Sequence, residues 1–204
     1  MNFSQEINKG LNYLAGNDII IKSLIEKYPK FNLKPHTNHF DDLVASIIMQ
    51  QLSMKAGTSI LNKFKNHFKV LQPDIIYNER DNNLRNLGIS YQKIKYIKDL
   101  CENIINENID LNDIAKLSNE DIVKILTKVK GIGIWTVQMF LIFTLCRLDV
   151  LPDKDLGIRK AVGNLYLQKD IATDKEVREI ALLNKWNPYE TLASWYLWRS
   201  LENT

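Results

Sequence analysis

Apolar side chains recur along this sequence at intervals of three, four and seven residues, and nowhere alternate for long enough to make a bounded strand. Residues 40–68 place Leu43, Ile47, Met54, Leu61 and Phe64 on one such stripe, and residues 91–105 repeat it with Ile94, Ile97, Leu100, Cys101, Ile104 and Ile105. Ser118 is positioned to cap a helix running to Lys130, with Asp121 completing a capping box and Ile122, Ile125, Leu126 and Val129 on the buried side. Residues 135–148 form a strongly apolar central helix, 156–167 and 174–183 form two more, and Pro188 opens a last one over 189–201. Only 8 glycines and 5 prolines punctuate the chain. The expected architecture is all-α, with roughly ten helices.

Composition narrows the function classes. Hydrophobic residues make up 45% of the chain and charged residues 25%, enough for a sizeable core. Lys plus Arg is 27 against 24 for Asp plus Glu, a net charge of +3. That excludes a histone-like polycation and leaves room for a nucleic-acid binder with its basic groups on one face. Two cysteines, Cys101 and Cys146, exclude a disulfide scaffold and a cysteine-ligated metal or iron–sulfur site. Both are expected to be buried and reduced. The start, MNFSQEINKG, has no apolar core for a secretory signal. The longest apolar stretch, interrupted by Gln138, is about half the ~20 residues a membrane helix needs. No low-complexity linker divides the 204 residues, so a single soluble intracellular domain is expected.

The most informative segment is Leu126-Thr127-Lys128-Val129-Lys130-Gly131-Ile132-Gly133-Ile134-Trp135-Thr136-Val137. Two glycines one residue apart join two helices in a tight turn. Gly131 can adopt positive φ without steric cost, and Gly133 has no side chain to hold a phosphate away. The amides around Gly131, Gly133 and Trp135 would lie at the start of the second helix, where unsatisfied N–H groups and a positive helix end attract anions. A glycine cap between two packed helices would also explain the turn. Downstream, Pro152-Asp153-Lys154-Asp155-Leu156-Gly157-Ile158-Arg159 offers two carboxylates. An aspartate ahead of a helix is a common cap. It can equally face a ligand.

These segments together resemble the helix–hairpin–helix DNA glycosylase superfamily, HhH-GPD. The resemblance extends to Ile48-Met49-Gln50-Gln51-Leu52-Ser53-Met54-Lys55-Ala56 and to Trp186-Asn187-Pro188-Tyr189-Glu190-Thr191-Leu192-Ala193-Ser194-Trp195-Tyr196-Leu197-Trp198-Arg199, and so covers about residues 40–199. The pattern resembles that of the alkylpurine branch, the 3-methyladenine DNA glycosylase II type, and the expectation is its compact form, lacking the N-terminal β domain. It departs at Glu190-Thr191, where Arg-Ser is usual.

The resemblance implies two helical lobes, about 38–148 and about 1–37 with 149–204, and a cleft between them. It implies a hairpin that grips DNA backbone without reading sequence, and an alkylated purine flipped out of double-stranded DNA. Asp155 takes the catalytic position, with Asp153 excluded by spacing. An ionised carboxylate there would stabilise the positive charge that builds on the sugar as the N-glycosidic bond breaks.

Trp135, Met139 and Trp198 take the base-pocket positions, where an aromatic wall attracts a cationic purine. Gly131, Ile132, Gly133, Thr136, Gln51, Ser53, Tyr91 and Lys130 take DNA-binding positions, Tyr91 as the wedge and Gln51 beside the vacated space. Tyr91 could instead simply begin a helix, and Gln51 could be an internal hydrogen bonder. Lys55, Lys128 and Arg159 are further phosphate contacts to consider. Relatives hold a structural cation on hairpin carbonyls, here those of Thr127, Val129 and Ile132. Bifunctional members carry an attacking lysine where this chain has Trp135, so no strand-cleaving lyase step is expected. No cofactor or required metal is implied. The protein is expected to act as a monomer, with the nucleoid in a prokaryote or the nucleus in a eukaryote as its place of work. The rival functions are removal of deaminated or oxidised bases, and DNA binding without catalysis.

Overall fold

In the computed structural model, residues 3–202 are described, and they contain helices and connecting turns but no strand. The helices are α1 (Phe3–Asn17), α2 (Ile19–Lys27), α3 (His39–Met49), α4 (Met54–Phe68), α5 (Pro73–Asn78), α6 (Asp81–Asn86), α7 (Tyr91–Ile105), α8 (Asn119–Leu126), α9 (Ile134–Met139), α10 (Leu156–Val162), α11 (Asp174–Leu183) and α12 (Glu190–Ser200). No helix among the described residues is long and apolar enough to cross a membrane.

The chain divides into two compact units, one of His36–Phe140 and one of Met1–Pro35 with Leu141–Thr204. The chain leaves the first of these inside a continuous helical stretch, because α9 runs on as a π-helical segment over Phe140–Thr144. In the His36–Phe140 unit, Leu43, Ile47, Ile48, Phe64, Ile76, Leu84, Ile94, Ile97, Leu100, Ile122, Leu126 and Val137 are buried. The expected stripes of α3, α7 and α8 therefore do face a core, except at Ile105, which ends α7 and is 45% exposed. Cys101 is fully buried, and burial pushes its thiol up to about 12.

The other unit is built around Leu14, Ile21, Ile158, Val162, Val177, Trp186, Tyr196 and Leu197. Its α2 is capped by Asp18, which is 2% exposed. A carboxylate this deep needs compensation. Its Oδ1 accepts from the amides of Ile20 at 2.9 Å and Ile21 at 3.0 Å, and its Oδ2 from the Tyr166 hydroxyl at 2.6 Å and Trp186 Nε1 at 2.8 Å. Burial, followed by that carboxylate, pushes the Tyr166 phenol far up, so it stays a donor. Cys146 is buried too, and burial pushes its thiol up to about 11.

Several expected helices are shorter or broken. The run over 40–68 is two helices, because the chain turns at Gln50–Ser53: Gln51 takes φ +56°, and Ser53 restarts the helix by accepting the Ala56 amide at 3.3 Å. Met54, expected on the buried stripe, is 74% exposed as a result. Ser118 caps α8 through the Asp121 amide at 3.1 Å, but the helix ends at Leu126 rather than Lys130. The central helix stops at Thr144 rather than at 148, whereas the expected helix over 156–167 is continuous, α10 passing into a π-helical segment over Gly163–Leu167. Thr173 and Glu176 form a full capping box at the start of α11.

Candidate active site and hairpin

The turn between α8 and α9 is shaped by two glycines with different jobs. Gly131 has φ +81°, and a Cβ built there would come within 2.1 Å of the Tyr96 ring. Glycine is needed on both counts. Gly133 has ordinary backbone geometry and caps α9, and nothing lies within 4 Å of where its Cβ would be. It therefore leaves the backbone at the start of α9 open to an approaching group. The Val129 carbonyl accepts the Ile132 amide at 3.1 Å, closing the turn. Asp99 of α7 anchors the same turn from beneath: its Oδ2 accepts the Lys130 amide at 2.9 Å and its Oδ1 pairs with Lys130 Nζ at 2.7 Å. Lys130, a candidate phosphate contact, is thus already engaged, and Asp99 raises its pKa.

Beyond the hairpin, α9 presents Trp135, 48% exposed, and Met139 one turn on. Both line a cavity of about 520 Å³, together with Thr136 and the Met49–Leu52 turn. This volume suits a small aromatic ligand. Gln51 is therefore brought to the cavity's wall, whereas Gln50, not singled out from sequence, bonds the hairpin directly through Nε2 to the Gly131 carbonyl at 2.9 Å. Tyr91, 54% exposed, begins α7 just after the Ser90 cap, with the Arg85 guanidinium 5.8 Å from its ring centre. It does start a helix, and its ring is also presented to solvent. Lys55 and Lys128 are exposed. Arg159 is half-buried and donates through Nε to the Ala172 carbonyl at 2.7 Å, an internal use.

Asp155 caps α10. Its Oδ1 accepts the Ile158 amide at 3.0 Å and also Trp198 Nε1 at 2.8 Å, so the carboxylate is held from two directions. Trp198 belongs to the same unit as Asp155. Its ring stacks on Phe143 at 5.6 Å between centroids. Gly157 makes this arrangement fit: a Cβ there would come within 2.9 Å of Trp198 Cδ1 and 3.1 Å of Asp155 Oδ1. Neither Phe143 nor Gly157 carried any periodicity signal, and only proximity in space reveals them. Asp153 pairs with Arg178, which occupies the carboxylate that spacing had excluded.

Glu190 and Thr191 are used internally. Asn187 Nδ2 donates to Glu190 Oε1 at 2.9 Å, and Thr191 Oγ1 donates to the Arg147 carbonyl at 2.7 Å. Among the described residues, no group of three or more His, Cys, Asp and Glu side chains could hold a metal ion.

An all-helical fold with a two-glycine hairpin and a doubly anchored aspartate beyond it defines a helix–hairpin–helix protein of the DNA repair class. A family-level match over residues 44–188 agrees: the chain belongs to the HhH-GPD superfamily of base excision DNA repair proteins. It is 35% identical over 196 residues to DNA-3-methyladenine glycosylase 1 of Schizosaccharomyces pombe, covering 94% of this chain and 81% of that protein. Among solved structures it resembles a 3-methyladenine DNA glycosylase of the same yeast in complex with abasic DNA, with a TM-score of 0.82 and 33% identity over 96% of this chain and 98% of that one. It also resembles a DNA-3-methyladenine glycosidase of Bacillus halodurans, with a TM-score of 0.83 and 32% identity over 94% of this chain and 88% of that one.

Proposed function

We propose that this protein is a monofunctional DNA glycosylase that hydrolyses the N-glycosidic bond of alkylated purines, of the 3-methyladenine type, in double-stranded DNA. The observation that carries the reading is the Asp155 carboxylate, fixed by the Ile158 amide and the Trp198 indole. The names of the relatives support the substrate class, and the yeast neighbour's abasic DNA supports the nucleic-acid partner.

In this reading the hairpin around Gly131, Ile132 and Gly133 holds a backbone phosphate, with Ser53 as a further contact, while Lys130 keeps its pair with Asp99 and Thr136 is buried. Such contacts position the enzyme without reading bases. The damaged nucleotide leaves the stack, and Tyr91 and Gln51 occupy the space it vacates. The base lies against Trp135 and Met139. Alkylation at N3 or N7 makes the purine cationic, which an electron-rich ring attracts and a polarisable thioether tolerates. The C1′–N9 bond then breaks with its electron pair passing to the purine, which leaves neutral. Positive charge moves onto the sugar, where the Asp155 carboxylate stabilises it. Water adds at C1′ and loses a proton, leaving free base and an abasic site.

Trp135 stands where a lyase would need an amine nucleophile, so no covalent enzyme–sugar intermediate forms. The turn's carbonyls, those of Thr127, Val129 and Ile132, are hard oxygen donors suited to a structural cation. The Val129 oxygen keeps one lone pair beside its bond to Ile132. No step passes through that ion. The protein acts as a monomer in this reading.

The test is mass spectrometry of bases released from duplexes carrying methylated, deaminated or oxidised purines. Release of methylated purines, with no protein–DNA adduct after borohydride, is the expected result. Release from only the deaminated or oxidised duplexes, or a trapped adduct, would reject it.

Trp198→Phe offers a finer check. Phenylalanine keeps the stack on Phe143 and removes the N–H that reaches Asp155. The single-turnover rate of base release is expected to fall about tenfold, the worth of one hydrogen bond to a charged group. An unchanged rate would assign Trp198 to packing alone.

A further inference from the structure

We infer that Lys93 is a positioning residue for base flipping: its ammonium sets the Gln50–Gln51–Leu52 turn and, through Gln50, ties that turn to the hairpin. The inference rests on the glycosylase reading and adds a residue that the reading does not use.

Lys93 is the third residue of α7, at the positive end of its own helix, in a first turn that has no acidic residue. A cation is disfavoured there by the helix dipole. It is also half-buried, which lowers its pKa. Two costs of this kind at one residue call for a compensating partner, and the structure supplies it. Lys93 Nζ donates to the Ile48 carbonyl at 2.7 Å and to the Gln50 carbonyl at 2.6 Å. These oxygens belong to the C-terminal end of α3, where the last carbonyls of a helix lack intrahelical donors and the dipole favours a cation.

The turn so held is unusual. Gln51 has φ +56°, a left-handed conformation that a non-glycine residue keeps only when its surroundings impose it. On one side of Gln51 the Gln50 carbonyl is pinned by Lys93, and the Gln50 side chain donates to the Gly131 carbonyl at 2.9 Å. One ammonium thus links α7, the end of α3 and the hairpin within the His36–Phe140 unit. The same turn forms one wall of the cavity that Trp135 and Met139 line. Loss of the ammonium leaves two helix-end carbonyls unpaired and frees Gln51 to relax toward ordinary backbone angles. The wall and its tie to the hairpin would then move, while the apolar core of the unit, made by other residues, stays.

The test uses Lys93→Met and Lys93→Cys in the full chain. Lys93→Met is expected to lower kcat/KM for methylated duplex about tenfold or more, the scale of loss when a supporting group misplaces a reacting partner. Amide hydrogen exchange should quicken in peptides covering residues 48–53 and 130–136, with the peptides of α5 unchanged. Lys93→Cys should behave alike, and alkylation with 2-bromoethylamine should restore most of the rate. In that step the cysteine sulfur displaces bromide and puts an ammonium back at lysine's length. Cys101 and Cys146 are buried with thiols pushed to about 12 and about 11, so they react little, and alkylated wild type is the control.

The inference is overturned if exchange quickens uniformly across the unit, if neither segment changes, or if aminoethylation restores nothing. If wild type releases no methylated base, the functional reading fails by itself, and the exchange comparison still decides whether Lys93 holds the turn.

Discussion

Asp155→Asn is expected to lower the single-turnover release of methylated purine by about 10²-fold or more, with the folded structure and DNA binding nearly unchanged. The substitution is close to isosteric and separates two roles of one side chain. Asparagine is as good a helix cap as aspartate, so the bond from the Ile158 amide survives, and an amide oxygen can still accept from Trp198 Nε1. What is lost is the negative charge. A carboxylate acts on the transition state because positive charge appears on the sugar only as the bond breaks, and a neutral amide cannot match that change. Thermal unfolding and binding to an abasic duplex should therefore be close to wild type while the rate collapses. Wild-type turnover in the variant would return Asp155 to the role of a cap.

Gly131→Ala is expected to be the most damaging change in the hairpin. An alanine at φ +81° costs about 1–2 kcal/mol from backbone sterics alone. Its Cβ would also lie 2.1 to 2.4 Å from three atoms of the Tyr96 ring, so that ring has to move. Overpacking of this kind adds about 1–3 kcal/mol. A fall in Tm of about 5 °C or more is expected for a chain of this size, together with weaker DNA binding. The double variant Gly131→Ala/Tyr96→Ala removes the clash but not the backbone cost, and should recover part of the loss. Gly133→Ala is the contrast. Its Cβ meets nothing within 4 Å, so Tm should hold, while the methyl group would stand at the phosphate contact proposed for the hairpin and weaken DNA binding. Equal loss of stability in both single variants would remove the distinction between a shape-setting and a contact-setting glycine.

The elements most legible in the sequence were those set by local chemistry. The buried stripes of α7 and α8, the Ser118 cap and the span of α11 all follow from side-chain period and capping residues within a few positions of one another. The break at Gln50–Ser53 was not legible, since Leu43, Ile47, Leu61 and Phe64 keep a helical period across it. What interrupts the helix is a left-handed Gln51 held from outside by Lys93, a residue more than forty positions away in sequence. Lys130 was readable as a basic residue beside the glycines, but its partner Asp99 comes from α7.

By itself, then, the sequence determined that the chain is helical, where its tight glycine turn falls, which carboxylate begins a helix beyond that turn, and the family to which those residues point. These depend on spacing along the chain, which composition and period expose directly. The packing of the helices was needed to show that the Trp198 indole reaches Asp155, that Gly157 leaves room for it, and that Lys93 and Gln50 tie a turn to the hairpin. Each is a hydrogen bond or close approach between residues far apart in sequence, and such distances exist only once the helices have packed.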